Sequence, residues 1–330
     1  MSAAVVPWLE FVICAALIGI AGSVLTRYGE VIARSWIGLV LLATATSLPE
    51  LLTGVSAVSV ADAPNIAVGD ALGSCVFNLS MLVLLDELSR KEPLYRSIDQ
   101  GHLLSAGFCV ILIGSAGAFL LLSQNALSFS LLHVSGYTPF IVLLYLVAIR
   151  ATFAYERRNK APSVIIASEL GITLRMAVIR YLAAATVVVA AGTWLPFIGR
   201  DLSNVMGWNA TFVGTLFIAA ATSIPELAVT ISALRLRAVD MAIGNLLGSN
   251  LFDILILAVD DIAYTKGPLF SSVAPANAIT AFAAVIMSGI FIVAVLYKPE
   301  TRIGGTIGWT SIALLMVYLF SSYAVYLYGH

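Results

Sequence analysis

The chain has 330 residues, of which 60% are apolar and 11% are charged, and its formal net charge is −1. Its mean hydropathy of +1.00 excludes a water-soluble globular protein and indicates an integral membrane protein. The basic residues follow the predicted membrane topology and form no patch typical of nucleic-acid binding. The lipid bilayer is therefore the first partner that the sequence predicts, and nucleic acid is not one.

Ten apolar segments have the roughly 20 residues that a helix needs to cross the hydrocarbon core of a bilayer. In chain order, they are predicted at residues 8–26, 35–58, 65–86, 102–122, 129–149, 176–198, 210–233, 241–262, 273–297 and 305–328. The first segment continues into a charged stretch that contains glycine, so we interpret it as a retained helix and not as a cleaved signal. The cysteines all fall within these segments, which argues against disulfides.

The basic residues predict the topology. When successive connections are placed on alternate faces, 15 of the 17 Lys and Arg residues share one face, and only Arg200 and Lys266 lie on the other. Because basic loops stay in the cytoplasm, both termini are predicted to lie outside. Five helices in each half then give the halves opposite orientations, an arrangement typical of secondary transporters. We predict an all-α membrane fold with a first repeat at 1–149, a cytoplasmic linker at 150–175 and a second repeat at 176–330.

Two pairs of stretches carry the repeat. ATATSLPELLTGVSAV at 43–58 matches AAATSIPELAVTISAL at 219–234. NIAVGDALGSCVFNLSML at 65–82 matches DMAIGNLLGSNLFDILIL at 240–257. The functional residues of the two halves are therefore expected to correspond one to one.

A proline interrupts each copy of the first stretch. Pro49 and Pro225 lack a backbone donor, so they are expected to free the carbonyls of Ala45 and Ala221 and to break the helices. Such backbone is tolerated at membrane depth only where it lines a site or a cavity. The sequence therefore predicts a binding site at the two breaks.

Carboxylates accompany these breaks, and no Lys or Arg occurs in the middle of any span to neutralise them. Glu50 and Glu226 follow the prolines directly, and Asp253 and Asn78 occupy matching positions in the second stretches. An unpaired carboxylate within the membrane indicates function, and carboxylates with free carbonyls are the oxygen ligands that Ca²⁺ prefers. We interpret these four residues as the centre of a cation site.

Hydroxyl groups lie one helical turn from these residues on the same helix faces. They belong to Thr46, Ser47, Ser74, Thr222, Ser223 and Ser249. Hydroxyls in membrane helices also bond their own backbone, so a purely structural role is the alternative. The glycine pairs Gly69/Gly73 and Gly244/Gly248 predict close helix contacts that would bring the carboxylates together.

The motifs TSLPE with GDALGSCVFN, and TSIPE with GNLLGSNLFD, resemble the two alpha-repeats of the cation/calcium exchanger superfamily, and most closely its sodium/calcium exchanger branch. The resemblance implies ten helices in two inverted halves with broken helices at the ion site. It also implies that helices two, three, seven and eight form a core past which helices one and six slide. The expected function is antiport of Na⁺ and Ca²⁺, with no cofactor and no enzymatic activity.

The resemblance also implies a ligand set. It places the calcium site on Glu50 and Glu226 with the carbonyls of Thr46 and Thr222, and a central polar site on Asn78 and Asp253. It places sodium sites on Ala43, Ser47, Ser74, Ala219, Thr222, Ser223 and Ser249.

Several positions depart from the family pattern, among them Ala45 and Ala221, which precede the TS pairs where glycine is common. Asp70 stands where asparagine is usual, as Asn245 does in the other half, and Cys75 replaces the asparagine that corresponds to Asn250. If Asp70 faces the site, it adds an anionic ligand or a proton carrier and modulates ion preference. If it caps the broken helix or meets water at a loop, its role is structural.

Charge balance predicts the mechanism. Three carboxylates are neutralised by three Na⁺ or mostly by one Ca²⁺, so exchange is expected to be electrogenic. The alternatives are a Ca²⁺/H⁺ exchanger, a Mg²⁺ or Mn²⁺ exchanger, and a channel. A more distant alternative is an intramembrane aspartyl protease that uses Asp70 and Asp253. The short linker suits a prokaryotic plasma membrane.

Overall fold

The computed structural model describes residues 2–32, 46–89, 94–124, 130–159, 174–299, 302–303 and 307–329. Its helices are α1 (Ser2–Ile32), α2 (Leu48–Ser59), α3 (Pro64–Leu88), α4 (Leu94–Ser97), α5 (His102–Ser123), α6 (Thr138–Asn159), α7 (Leu174–Met206), α8 (Ala210–Thr222), α9 (Ile224–Arg235), α10 (Val239–Ala263), α11 (Asn277–Tyr297) and α12 (Trp309–Tyr328). The middle of α8, Val213–Ile218, is π-helical, and a 3₁₀ turn covers Leu269–Ser271.

Two short antiparallel hairpins accompany the helices. Strands β1 (Ser130–Leu131) and β2 (Val134–Ser135) pair before α6, and strands β3 (Arg302–Ile303) and β4 (Ile307–Gly308) pair before α12. Each hairpin thus leads into a long apolar helix.

The membrane-spanning helices agree with most of the predicted segments. In the described part of the chain, eight helices are long and apolar enough to span a bilayer, and α8 with α9 forms a ninth candidate bent by 46°. The predicted span at 35–58 falls partly on residues 33–45, which lie outside the described residues. The count of ten helices therefore stays a prediction.

The predicted start of the fifth span was wrong. The segment at 129–149 begins with the β1–β2 hairpin, and the helix starts only at Thr138 and continues through Asn159. Pro139 explains this start, because proline fits the first turn of a helix, where its missing N–H is not needed. The last span likewise begins at Trp309, after the β3–β4 hairpin, and not at residue 305.

Helices α3 and α10 form the centre of the protein. In their most apolar windows, 78% and 67% of the residues are buried, compared with 17% in α6. A helix that is apolar on all sides and buried belongs to the interior, whereas α6 exposes its apolar surface. The second motif-bearing stretches, which lie in α3 and α10, are thus central, as the resemblance implied.

Glycines allow α8 to approach α3 closely. A Cβ atom on Gly73 would lie 2.7 Å from Cα of Thr215, and one on Gly69 would lie 3.0 Å from the backbone nitrogen of the same residue. A methyl group on Gly73 would overlap the backbone of α8, and one on Gly69 would be tightly packed against it, so glycine permits this close helix contact. The predicted role of this glycine pair is confirmed.

Helices α1 and α7 pack against each other along their lengths. Glycines on both helices meet the starts of the helices that follow the breaks. A Cβ atom on Gly22 of α1 would lie 2.9 Å from Cβ of Pro225, and one on Gly192 of α7 would lie 3.3 Å from the carbonyl oxygen of Pro49. This helix pair therefore contacts both breaks directly.

A buried aspartate holds the hairpin beside α6. Asp261 of α10 accepts hydrogen bonds from the backbone nitrogens of Ser135 and Leu269, each at 2.7 Å, and from the hydroxyl of Thr138. These bonds fix the end of α10 to the start of α6.

An equivalent aspartate holds the hairpin beside α12. Asp86 of α3 accepts from the backbone nitrogen of Gly308 at 2.9 Å and from the hydroxyl of Ser311 at 2.7 Å. A buried aspartate thus holds a hairpin both at the end of α3 and at the end of α10.

Gly73→Ala is expected to destabilise the protein, because the added methyl group overlaps the backbone of α8. The predicted cost is about 2 kcal/mol or more, measured as a lower melting temperature of the detergent-purified protein. The control is Gly107→Ala on α5, where no described atom lies within 4 Å of the new Cβ. Equal melting temperatures of Gly73→Ala and the wild type would contradict the close helix contact.

Candidate ion-binding site

The two proline breaks are present. Helix α8 ends at Thr222 and α9 begins at Ile224, so that Ser223 lies between them and Pro225 occupies the first turn. In the other half, Ser47 immediately precedes α2, which carries Pro49 in its first turn.

The glutamates occupy the first turns of the helices that follow the breaks. Glu50 lies in the first turn of α2 and Glu226 in the first turn of α9, and both are buried. A helix N-terminus carries partial positive charge, which favours a carboxylate in this position. The breaks therefore set both carboxylates at helix ends within the membrane.

Glu226 takes its hydrogen bonds from the opposite half of the chain and from α10. The hydroxyl of Ser47 donates to its Oε1 atom at 3.3 Å, and the hydroxyl of Ser249 donates at 3.4 Å. The Thr46 side chain also forms a hydrogen bond with this carboxylate. The two breaks are therefore joined across the centre of the protein.

Glu50 has the matching surroundings. The hydroxyl of Ser223 lies 3.4 Å from its Oε1 atom and 3.2 Å from the hydroxyl of Ser74. Each glutamate thus meets the serine of the other half's break, and that serine also contacts a serine of α3 or α10. We call this pattern the crossed arrangement.

Asn78 and Asp253 are connected through two residues that the sequence did not assign to the site. Nδ2 of Asn78 donates to Oδ1 of Asn250 at 3.0 Å, and Nδ2 of Asn250 donates to the carbonyl of Cys75 at 3.2 Å. The thiol of Cys75 contacts Asp253 at 3.7 Å. The spacing of Asn250 and Asp253, one turn apart on a helix, was the signal that would have identified Asn250.

Asp70 faces the break in the second half. It is 1% exposed, and its Oδ1 atom lies 2.9 Å from the hydroxyl of Thr222. That hydroxyl also lies near the carbonyls of Ile218 and Ala219, at 3.1 and 3.2 Å. Asp70 therefore lies against the last residue of α8 at the break and not beside a loop, and its role as an ion ligand or as a cap of the broken helix stays a prediction.

Several buried oxygens at this place have no hydrogen-bond donor among the described residues. They are Oε2 of Glu50, Oε2 of Glu226, Oδ2 of Asp70 and Oδ1 of Asn78. Unsatisfied buried polar atoms are rare because each loses its hydration without compensation. Four together indicate a site that a ligand completes.

The carboxylates are close enough for their charges to repel one another. Glu50 experiences the charges of Glu226, Asp253 and Asp70. Within the described residues, however, no group of three His, Cys, Asp or Glu side chains converges to chelate a metal. A bound ion would therefore also need hydroxyl, amide or carbonyl oxygens, which are ligands of hard cations. Ala43, one of the predicted ligands, lies outside the described residues.

Long apolar helices around a buried, oxygen-lined site define a multi-pass integral membrane protein. The model of the family described as sodium/calcium exchanger protein matches residues 6–154 and 176–327. The chain belongs to this family.

The chain is also similar to a curated protein in sequence and to solved structures in fold. An uncharacterized membrane protein of Methanocaldococcus jannaschii is 27% identical over 292 residues, which cover 86% of this chain and 84% of that protein. The fold is similar to the structure of native YfkE, with a TM-score of 0.69 and 17% identity over 96% of this chain and 91% of that chain. It is also similar to a structure of the sodium-calcium exchanger NCX_Mj, with a TM-score of 0.60 and 22% identity over 96% of this chain and 98% of that chain.

Glu50→Gln is expected to stabilise the protein when cations are removed, because the substitution removes one of several mutually repelling buried charges. The melting temperature in chelator and choline buffer should rise by about 3 °C or more. Glu10→Gln on α1 is the control, since it removes a carboxylate outside this cluster. A lower melting temperature for Glu50→Gln would show that Glu50 acts as a structural anchor.

Proposed function

We propose that this protein is a secondary antiporter that exchanges Na⁺ for Ca²⁺ by alternating access. Membership of the sodium/calcium exchanger family supports the exchange of cations. The fold of NCX_Mj, which is a sodium-calcium exchanger, supports the choice of these two ions. The protein acts without a cofactor, and the ions are its substrates.

The observation that carries the proposal is the set of unpartnered oxygens on Glu50, Glu226, Asp70 and Asn78. Among the described residues, no Lys or Arg pairs with these carboxylates, so a bound cation is the partner that balances their charge. Ca²⁺ takes six to eight oxygen ligands in flexible geometry. We assign it to Glu50 and Glu226 with the carbonyls of Thr46 and Thr222.

The hydroxyls of the crossed arrangement are suited to bind Na⁺. At 3.2–3.4 Å, their hydrogen bonds are long, so small shifts would turn the oxygens toward an ion. We assign Na⁺ to the residues Ala43, Ser47, Ser74, Ala219, Thr222, Ser223 and Ser249. Asn78 and Asp253 form the central polar site between the glutamates.

We further propose the two inverted repeats of five helices, with both termini outside and a cytoplasmic linker. The crossed arrangement supports them, because the Ser47–Glu226–Ser249 group corresponds to the Ser223–Glu50–Ser74 group. The paired hairpins, each held by an aspartate, support the same symmetry. The short linker suits a prokaryotic plasma membrane.

The contact between α1, α7 and the breaks supports a coupling mechanism. Gly22 and Gly192 lie against the prolines that precede the glutamates, so a change in the site reaches the α1–α7 pair directly. We propose that this pair slides when cations neutralise the site and is held when the site is empty. Charge buried in the membrane opposes movement of the empty site.

Exchange of three Na⁺ for one Ca²⁺ would neutralise the three carboxylates of Glu50, Glu226 and Asp253 and would move one net charge in each cycle. Asp70 adds a fourth carboxylate beside Thr222 and is proposed as a modulator of ion preference. The protease alternative is disfavoured, because Asp70 bonds Thr222 and Asp253 contacts Cys75, so that no hydrogen bond among the described residues joins the two aspartates into a dyad.

The test is uptake of ⁴⁵Ca²⁺ into proteoliposomes with an outward Na⁺ gradient. The wild type should accumulate Ca²⁺, and Glu226→Gln should reduce the rate about 100-fold or more, since it removes a charged ligand worth more than about 2.7 kcal/mol. The control is Glu87→Gln at the end of α3. An inside-positive potential should accelerate uptake if the entry of one Ca²⁺ accompanies the exit of three Na⁺, because one net positive charge then leaves the vesicle in each cycle.

Other outcomes would change the assignment. Uptake driven by an outward H⁺ gradient without Na⁺ would indicate a Ca²⁺/H⁺ exchanger, with Asp70 as a candidate carrier. Transport of Mg²⁺ or Mn²⁺ in preference to Ca²⁺ would change the substrate. Flux without counter-flow would indicate a channel, and uptake insensitive to membrane potential would contradict the stoichiometry.

A further inference from the structure

Asp260 of α10 is a buried carboxylate that the site described above does not use. It is completely buried, and neither of its oxygens has a hydrogen-bond donor among the described residues. A charged group in this environment is costly unless a partner balances it. Among the described residues, Asp260 is therefore a fully buried carboxylate outside the central site with no donor to either oxygen.

Its neighbour Asp261 shows what a structural aspartate looks like in the same turn. The oxygens of Asp261 accept from Ser135, Leu269 and Thr138, which hold the hairpin in place. In the part of the chain that the structure describes, Asp260 has no such bonds, and its carboxylate points toward α2. The two adjacent aspartates thus differ in their surroundings, and only the second is an anchor.

The space for Asp260 is provided by a glycine on α2. A Cβ atom on Gly54 would lie 2.7 Å from Oδ1 of Asp260, so any larger residue would occupy the place of the carboxylate. Gly54 is one helical turn beyond Glu50 and on the same side of α2. The glycine therefore admits a carboxylate next to the site, between α2 and α10.

The position of Asp260 along α10 relates it to the site. It follows Asp253 by seven residues, which is two helical turns on one face and about 10 Å along the axis. It is also close enough to Asp70 for their charges to interact. The carboxylates of Asp253 and Asp260 thus form a row along α10 that leads away from the centre of the protein.

This row of carboxylates leads to the surface at which α2 and α10 end. There, the side chains of Asp62 and Lys266 form an exposed ion pair at 2.7 Å between the loops that follow these helices. We call this surface the Asp62–Lys266 face. Asp260 lies between this face and the glutamates.

We propose that Asp260 is a transit site for the divalent cation on its way between the Asp62–Lys266 face and the central site. This inference rests on the proposed function, because it takes the transported Ca²⁺ as the ligand. A carboxylate oxygen is the kind of ligand that Ca²⁺ prefers, and a single carboxylate binds it weakly enough for release. Because Asp260 is completely buried, the path is closed to that face in this conformation and opens in another.

The test compares Ca²⁺ uptake from the two faces of the membrane in right-side-out and everted vesicles. Labelling of Lys266→Cys with a membrane-impermeant maleimide identifies the Asp62–Lys266 face in each preparation. Asp260→Asn should raise the KM for Ca²⁺ offered at this face about tenfold or more, because a negative charge near the ion is lost. The KM for Ca²⁺ offered at the opposite face should stay unchanged.

The matched control is Asp62→Asn, which removes one negative charge from the same face but at an exposed position. Its KM should equal that of the wild type on both faces. The melting temperature of Asp260→Asn should be no lower than that of the wild type, since the substitution retains the shape of the side chain.

Three results would overturn the inference. An unchanged KM on both faces would mean that Asp260 is a neutral packing group, and an equal rise on both faces would mean that it shapes the central site. Either result would leave the proposed function intact, because the wild type would still exchange Na⁺ for Ca²⁺. Absence of Ca²⁺ uptake by the wild type in both preparations would overturn the proposed function and this inference with it.

Discussion

Several carboxylates are buried among apolar helices and repel one another, and the rest of the structure must offset this repulsion. Glu50, Glu226, Asp253 and Asp70 lie close together, and among the described residues none of them pairs with Lys or Arg. Such a group is stable only when hydrogen bonds and a bound cation offset the loss of hydration. The serines of the crossed arrangement supply part of this stabilisation and leave other oxygens of the group open.

The backbone also positions the buried carboxylates. Pro49 and Pro225 end the regular hydrogen bonding in each half, so that the glutamates sit at helix starts and not within helices. The glycines of α3, α1 and α7 then let neighbouring helices approach the breaks to van der Waals contact. In this arrangement, a change of charge at the glutamates acts on the surfaces between helices, which links ion binding to movement.

Much of this could be predicted from the sequence, because prolines and carboxylates have strong and local effects in a membrane. The breaks at Ser47 and Ser223 and the close contact of Gly73 follow from residue type and spacing, whereas the central position of α3 and α10 was implied by the family resemblance. The hairpin before α6 was missed, since two-residue strands leave no periodic pattern in an apolar stretch. The partners of Asp70 and Asn78 were also missed, because contacts between distant helices depend on how these helices rotate and pack. Asp260 differs from Asp261 only through such packing.

The most direct test of the central claim is equilibrium binding of ⁴⁵Ca²⁺ to the detergent-purified protein during titration with Na⁺ at constant ionic strength. If both ions neutralise the same carboxylates, Na⁺ will displace Ca²⁺ cooperatively, with a Hill coefficient above one, whereas choline will displace none. Retention of Ca²⁺ at saturating Na⁺ would contradict the account, because the two ions would then occupy separate sites and could not be exchanged through a shared one.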